Sequence, residues 1–131
     1  MATWKRVVYA EEISGISYTI LDKTDNYTIT LSDLEKSISM TSAVAKTLTL
    51  PDSSADYIGR RVRCCNLGTA KLTVIPHSGG FINDESEISS EIKYSFVEIV
   101  LKAANTWIID SVGPMNIKLS DYYGPWLIGA A

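Results

Sequence analysis

The chain has 131 residues, of which 46% are hydrophobic and 21% are charged, and its formal net charge is −3. This length and composition predict one globular domain with its own core and argue against a disordered chain. The acidic balance, with no basic run longer than Arg60-Arg61, argues against nucleic-acid binding, and no window approaches the roughly 18 consecutive apolar residues of a membrane span.

Residues 1–16 do not share the pattern of the rest of the chain and are predicted to form an N-terminal arm. Trp4, Val7, Val8 and Tyr9 suit one short strand, after which two glutamates and a Ser-Gly pair interrupt it. The apolar run is too short for a signal peptide. We expect the four apolar residues to contact another subunit, and an edge strand folded back on its own domain is the alternative.

Between residues 17 and 112 the sequence consists of short runs in which apolar and polar residues alternate. Gly, Pro, Asn or Asp closes most of them, and no long helix fits anywhere. This pattern predicts an all-β domain, an antiparallel β-sandwich of jelly-roll-like or Greek-key type, with extended N- and C-terminal arms. The predicted strands lie around residues 18–20, 27–31, 37–41, 46–50, 61–65, 72–75, 92–102 and 107–109.

Residues 113–131 are predicted to form an extended C-terminal tail, because the alternation stops after Gly113-Pro114. So much exposed apolar surface would be unfavourable in water, so the tail should cover its own sandwich or dock on a neighbour. We favour subunit contacts for its apolar residues and leave packing on the chain's own domain as the alternative. The tail residues assigned to this interface are Tyr122, Tyr123, Trp126, Leu127 and Ile128.

Candidate chemical groups are few, and none forms a pattern that suits catalysis. Cys64 and Cys65 are adjacent in one predicted strand, so they should point to opposite faces and stay unbridged, as in a reducing cytoplasm. His77 is the single histidine and lies in a Pro–Gly turn. The acidic run 83–87 lacks the spacing of a calcium loop. We therefore expect no catalytic residues, no cofactor and no metal site, and no enzymatic activity.

The block from residue 46 to 110 resembles the small β-domain that recurs in virion proteins of tailed bacteriophages. The shared pattern is a Thr-Leu-Pro strand end, a Gly-Lys turn, an Asn-x-Gly hairpin, a Val-Thr-Val-x-Pro strand, a Gly-Gly-x-Ile turn and an Asn-Trp-x-Ile strand. Arg60 replaces the usual lysine, and Asn83-Asp84 stands where Asp-Gly is common. The matching segments here are Leu48–Pro51, Gly59-Arg60, Asn66–Gly68, Leu72–Pro76, Gly79–Ile82 and Asn105–Ile109.

The resemblance implies a structural role in the virion, commonly as a homotrimer, with no catalytic residues to carry over. The chain is short and lacks shaft repeats and coiled-coil heptads, which favours a capsid decoration or cement protein over a long fibre. Its arms would then bind sister subunits or the major capsid protein, after assembly in the host cytoplasm. The alternatives are a tail, neck or fibre component on the same domain, and a glycan- or receptor-binding module.

Overall fold

The computed structural model describes residues 19–114 and 126–128, and these form an all-β domain with two single-turn 3-10 helices. In chain order the elements are β1 (Thr19–Lys23), β2 (Tyr27–Thr28), η1 (Leu31–Asp33), β3 (Lys36–Met40), β4 (Lys46–Thr49), η2 (Ala55–Tyr57), β5 (Arg61–Asn66), β6 (Leu72–Ile75), β7 (Phe81–Ile82), β8 (Ile88–Ser90), β9 (Ser95–Ala103), β10 (Thr106–Pro114) and β11 (Leu127–Ile128).

The strands form two sheets, and the chain crosses from one sheet to the other at nearly every loop. The six-stranded sheet has the order β1-β3-β5-β9-β10-β7, and the five-stranded sheet has the order β11-β8-β6-β4-β2. Odd-numbered strands up to β9 lie in the first sheet and even-numbered strands up to β8 lie in the second. The hairpin between β9 and β10 is the one consecutive pair of described strands that stays in a single sheet.

The first six strands stack as the coils of a β-solenoid. β1, β3 and β5 pair in parallel in one sheet, while β2, β4 and β6 pair in parallel in the other. Each coil therefore contributes one strand to each sheet, and the next coil lies directly on top of it. Beyond these coils, β8, β9, β10 and β11 add antiparallel pairs, and β7 pairs in parallel with β10.

The prediction of an all-β fold is confirmed, but the antiparallel jelly-roll or Greek-key order is wrong for the described strands. The turn at residues 66–68 shows the difference, because it was predicted to close a hairpin between neighbouring strands. Instead it carries the chain from β5 in one sheet to β6 in the other. Period-two alternation specifies which face of a strand is buried, and it carries no information on the direction of the neighbouring strand.

One hydrophobic core lies between the two sheets, as inward-facing side chains from both sheets belong to a single cluster. Most of these residues are fully buried, and Trp107 of β10 is the largest of them. The cluster consists of Ile29, Leu34, Ile38, Met40, Leu48, Leu50, Val62, Cys64, Leu72, Val74, Ile82, Ile88, Val97, Ile99, Leu101, Trp107 and Trp126.

Asparagine side chains fasten the corners where the chain changes sheets. The Asn66 amide nitrogen donates to the carbonyl oxygens of Ala70 and Ser90, while its Oδ1 accepts from the Gly68 backbone N–H. At the corner between β4 and β5, the Ser53 backbone N–H donates at 2.7 Å to the Oδ1 of Asn105, which lies in the β9–β10 hairpin. These loop backbone groups do not pair with a neighbouring strand, so the asparagine side chains supply the hydrogen-bond partners that buried polar groups require.

A buried carboxylate closes the turn between β2 and β3. The Oδ2 atom of Asp33 accepts from the Tyr27 hydroxyl at 2.5 Å and from the Thr30 backbone N–H at 3.0 Å. Lys36 Nζ lies 3.8 Å from the other carboxylate oxygen. Burial alone would raise the pKa of Asp33, but these hydrogen bonds and the lysine charge outweigh it and hold the pKa below its ordinary value.

We expect this carboxylate to make the domain less stable in acid. Because the folded pKa of Asp33 is lowered, its stabilisation is complete above the unfolded pKa of about 3.9 and is lost as the pH falls through the folded value. Asp33→Asn should lower the free energy of unfolding at pH 7 and flatten its dependence on pH between about 5 and 2. Urea unfolding across that range measures both effects. Asp56→Asn removes an exposed carboxylate as the control, and an equal slope in both variants would contradict the assignment.

The described domain is larger than the predicted 17–112 unit at its C-terminal side. β10 continues to Pro114, and residues 127–128 return as β11, which pairs with β8. The stretch 113–131 is therefore not solely an extended tail, because part of it belongs to the five-stranded sheet. The predicted arm, residues 1–16, lies outside the described residues.

Candidate interaction surface

The outer face of the six-stranded sheet, which points away from the core, collects charged and polar side chains in rows. Alternation along β5 sends Val62 and Cys64 inwards and therefore sends Arg61, Arg63 and Cys65 outwards. The register across the sheet then sets their neighbours. One row contains Ile20, Ser37, Arg63, Glu98 and Ser111, and the next contains Asp22, Ser39, Cys65, Phe96 and Gly113.

Glu98 is the centre of an ion network on this outer face. The residue is only 6% exposed, and its Oε2 accepts from Arg61 Nη1 at 3.3 Å. Arg63 Nη2 lies 3.9 Å from Oε1, and the Ser111 hydroxyl lies 3.5 Å from the same oxygen. A carboxylate so far removed from water is stable only when cations and hydrogen-bond donors surround it, and these three groups provide them.

Arg61 links this network to the next strand. The same Nη1 atom that binds Glu98 also donates to Asp110 Oδ2 at 3.0 Å. The hydrogen bond to Glu98, followed by that to Asp110, raises the pKa of Arg61, and partial burial opposes the rise. Asp110 reaches Arg61 because the β9–β10 register shifts between Ile109 and Ser111, where β10 carries an extra residue. The network thus ties β5, β9 and β10 together.

An aromatic contact continues the outer face beside the ion network. The Arg63 guanidinium lies over the Phe96 ring, 4.5 Å from its centroid, which is the geometry of a cation–π interaction. Phe96 also covers Gly113, where an added Cβ would be in ordinary van der Waals contact with the ring. A glycine leaves a gap on a sheet surface, and a neighbouring aromatic ring fills it here.

The two cysteines behave as the sequence indicates. Cys64 faces the core and Cys65 lies on the outer face, where its Sγ is 3.5 Å from the Ser37 hydroxyl. Both thiols are free and buried, and burial raises the pKa of each. Thiols held in the protonated form are poor nucleophiles, so these residues act as small packing groups.

Exposed apolar side chains lie at both ends of the outer face. Ile20 on β1 is 62% exposed, and at the far end Phe81 of β7 and Ile108 of β10 are 47% and 38% exposed. The outer face therefore has a buried, charge-balanced centre and apolar margins. Contact surfaces between proteins combine such groups, with aromatic and aliphatic side chains beside paired charges.

The structure places the interface residues predicted in the C-terminal tail in different environments. Trp126 is 7% exposed and packs in the core cluster of its own chain, which is the arrangement that the alternative describes, and its role as a subunit contact stays a prediction. Leu127 and Ile128 form β11. The other six assigned residues lie outside the described residues, namely Trp4, Val7, Val8, Tyr9, Tyr122 and Tyr123.

The remaining candidate groups occupy turns. His77 Nε2 lies 3.9 Å from Asp52 Oδ2, both on the surface. The acidic run begins in a turn after β7 where Asn83 and Asp84 have positive φ, and the Asn83 Oδ1 accepts from the Ile109 backbone N–H. Within residues 19–114 and 126–128 no three His, Cys, Asp or Glu side chains converge as metal ligands would.

The ion network was not foreseen, although the sequence contains part of the signal. Arg61 and Arg63 alternate with two core residues, and Glu98 lies between two core residues, so period-two alternation places all three outwards. These three side chains come into contact because of which strands are neighbours in the sheet. The antiparallel prediction gave the wrong neighbours. The extra residue at Asp110 leaves no mark in the pattern.

Comparison with known proteins adds no assignment. The chain matches no family model, and no curated protein sequence is significantly similar to it. Within the described part of the chain, no helix has the length and apolar character needed to cross a membrane.

Proposed function

We propose that this chain is a structural protein of a bacteriophage virion, a homotrimer that decorates or cements the capsid by binding the major capsid protein. The observation that carries the proposal is the set of segments that resembles the phage β-domain, because all six belong to one scaffold around the core. They contain the ends or turns of β4, β5, β6, β7 and β10, in chain order. The localisation that follows is the virion.

The polar residues and glycines of these segments have structural roles that explain why these residue types occur there. Asn66 and Asn105 bind loop backbone at two corners, and Gly68 and Gly80 allow backbone segments to approach closely. A scaffold of this kind supports a structural protein better than an enzyme, because its polar side chains are engaged in holding loops. In this proposal the protein has no catalytic site and needs no cofactor.

The outer face of the six-stranded sheet supports a role in assembly. Its paired charges and its exposed apolar margins, Ile20 at one end and Phe81 with Ile108 at the other, suit contact with other virion proteins. The N-terminal arm, residues 1–16, supplies the attachment to the shell or to sister subunits. Neither nucleic acid nor membrane is a partner in this proposal.

Deleting residues 1–12 is expected to weaken attachment to the capsid without unfolding the domain. The deletion stops seven residues before β1 and removes no described core residue. Co-sedimentation with capsids, together with the native mass in solution, measures the effect. We expect the full chain to pellet with capsids as a trimer and the shortened chain to stay in the supernatant. Saturation of capsids at unchanged affinity by the shortened chain would contradict the arm model, and a full chain that is monomeric and never pellets would contradict the function.

The solenoid stacking favours one second candidate, a tail, neck or fibre component. Parallel coils such as β1–β2 and β3–β4 extend by addition of further coils along one axis, which suits an elongated assembly. Locating the protein on the virion by labelling separates the two candidates. Label on the capsid shell supports decoration, and label confined to the tail or neck supports this alternative.

A further inference from the structure

The turn at residues 91–94, between β8 and β9, holds an exposed aromatic residue in a strained backbone conformation. Tyr94 has a φ of 69° and is 47% exposed. Bulky side chains are rare in this left-handed region, and strain of this kind clusters at functional sites. We call residues 91–94 the Tyr94 turn.

The other positive-φ positions among the described residues have structural explanations. Three of the other four non-glycine cases are Asn or Asp, whose short side chains tolerate this conformation. At the fourth, Glu35, the side chain accepts from the Arg60 Nε and from the Arg61 backbone N–H. Tyr94 lies outside the core cluster, and its ring is accompanied by Lys93, whose Nζ is 5.0 Å from the ring centroid. The fold itself therefore does not explain a tyrosine at this position.

Hydrogen bonds fix the turn that presents this tyrosine. The Ser90 Oγ accepts from the Ile92 N–H at 3.1 Å, and the Ser95 hydroxyl donates to the Ile92 carbonyl oxygen at 2.7 Å. The Tyr94 N–H donates to the Asn66 carbonyl oxygen at 2.6 Å. A turn held in this way loses little further conformational freedom when its exposed ring binds a partner, which favours association.

Positive charge accompanies the Tyr94 turn. The Asn66 side chain donates to the Ala70 carbonyl oxygen in the neighbouring corner, which ends at Lys71, so Asn66 holds both loops together. Neither Lys71 nor Lys93 takes part in an ion pair within the described residues. Glu91 is the one carboxylate in the two loops. The turn therefore combines an exposed aromatic ring with a net positive charge.

The margin of the outer face at β7 has the opposite charge. Phe81 and Ile108 are exposed there, and the acidic run 83–87 follows β7 directly. None of the three carboxylates in this run forms an ion pair in the part of the chain that the structure describes. Lys102 of β9 is exposed and offsets one of these charges. We call Phe81, Ile108 and the run 83–87 the acidic margin.

We propose that the Tyr94 turn of one copy of this chain binds the acidic margin of a second copy. This inference rests on the proposed function for the existence of an oligomer. Ile108 pairs with Val100, which lies six residues beyond Tyr94 along β9, so the turn and the margin are about 20 Å apart in one chain. The turn of a copy therefore cannot reach the margin of the same copy.

Both parts of this contact are complementary. The Tyr94 ring covers the exposed Phe81 and Ile108, and the two lysines beside the turn meet the unpaired carboxylates of the margin. Aromatic anchors and opposite charges are the groups that give protein interfaces their affinity and their register. Because the turn and the margin are different surfaces, the contact is heterologous, and its repetition around a closed ring gives a cyclic oligomer such as the proposed trimer.

Two full-length variants, each altered on one of the two surfaces, test the contact by their native mass in sedimentation. Tyr94→Gly removes the ring and suits the positive φ, and the margin variant combines Phe81→Ala with Ile108→Ala. We expect each variant alone to be a folded monomer, with unchanged circular dichroism. Their mixture should contain a species of twice the chain mass, because each variant supplies the surface that the other lacks. Ile20→Ala, at the opposite margin of the outer face, is the control and should keep the mass of the unmodified chain.

Several results would overturn this contact. They are an unmodified chain that is monomeric at every concentration, a variant that keeps the mass of the unmodified chain, and a mixture of the two variants that stays monomeric. A glycan that the unmodified chain binds and Tyr94→Gly does not, with the mass unchanged, would assign the turn to sugar binding instead. Because no capsid is present, these results are separate from co-sedimentation with capsids, which tests the proposed function.

Discussion

Replacing Trp126 by alanine is expected to destabilise the domain by about 3–5 kcal/mol, the cost of removing a large aromatic side chain from a packed core. Trp126 is 7% exposed and packs in the cluster between the two sheets. Urea unfolding of the full chain measures the change as a lower transition midpoint. Phe81→Ala, which truncates an aromatic residue that is 47% exposed, is the control and should cost less than about 1 kcal/mol.

Trp126→Phe refines this test. The indole Nε1 of Trp126 is buried and has no hydrogen-bond partner in the described part of the chain. Phenylalanine removes that unsatisfied donor, so this variant should lose much less stability than Trp126→Ala. If Trp126→Ala unfolds at the same urea concentration as the unmodified chain and only its association is weaker, Trp126 is a subunit contact after all.

The position of Trp126 changes which truncations are informative. Removal of residues 115–131 would take away β11 together with Trp126, so the domain itself would lose stability. Loss of capsid binding in that truncation would then have two causes. Removal of residues 1–12 avoids this problem because it leaves every described core residue in place.

The sequence predicted the faces of the strands well and their partners poorly. Ile38, Leu48 and Val62 all face the core, as their alternation with polar residues indicated. Burial of one face repeats every second residue, and this repeat is local, so a single sequence displays it. Which strand lies beside which is decided by loops that cross between sheets, and the turn residues at these crossings are the same Asn and Gly that close hairpins.

The pairing of residues 127–128 with β8 could not be predicted from the sequence, for a related reason. Trp126 follows Gly124-Pro125, which ends any regular pattern, and β11 has only two residues. A strand this short shows no periodicity, and its pairing with β8 depends on a partner that is itself only three residues long. Apolar composition alone could not distinguish a chain that returns to its own core from one that docks on a neighbour.

The sequence allowed only part of the candidate interaction surface to be predicted. Arg61, Arg63 and Glu98 could be assigned to an outer face from alternation, and their chemistry indicates pairing. That Glu98 would be nearly inaccessible to water could not be known without the register of β5 against β9. The bulge that brings Asp110 to Arg61 inserts one residue without any glycine or proline to mark it.

Gly68→Ala is expected to be among the most damaging single-methyl changes in the chain. Gly68 lies at the corner after β5, and an added Cβ would overlap the backbone nitrogen and oxygen of Ser42. Backbone atoms cannot rotate away as a side chain can, so the corner must move, and the Asn66 hydrogen bond to the Gly68 N–H moves with it. We expect a loss of about 2–3 kcal/mol or more in the free energy of unfolding, the upper range for overpacking.

Gly113→Ala is the matched control for that substitution, because it adds the same methyl group to a glycine on the outer face of β10. There an added Cβ would lie 3.7 Å from the Phe96 ring, an ordinary contact distance. Its unfolding midpoint should stay close to that of the unmodified chain or rise. Alanine has less conformational freedom than glycine in the unfolded chain, so folding loses less entropy at this position. If both alanine variants unfold alike, the close approach of the corner to Ser42 does not constrain the fold, and the role given to the Asn66–Gly68 segment in joining the two sheets is wrong.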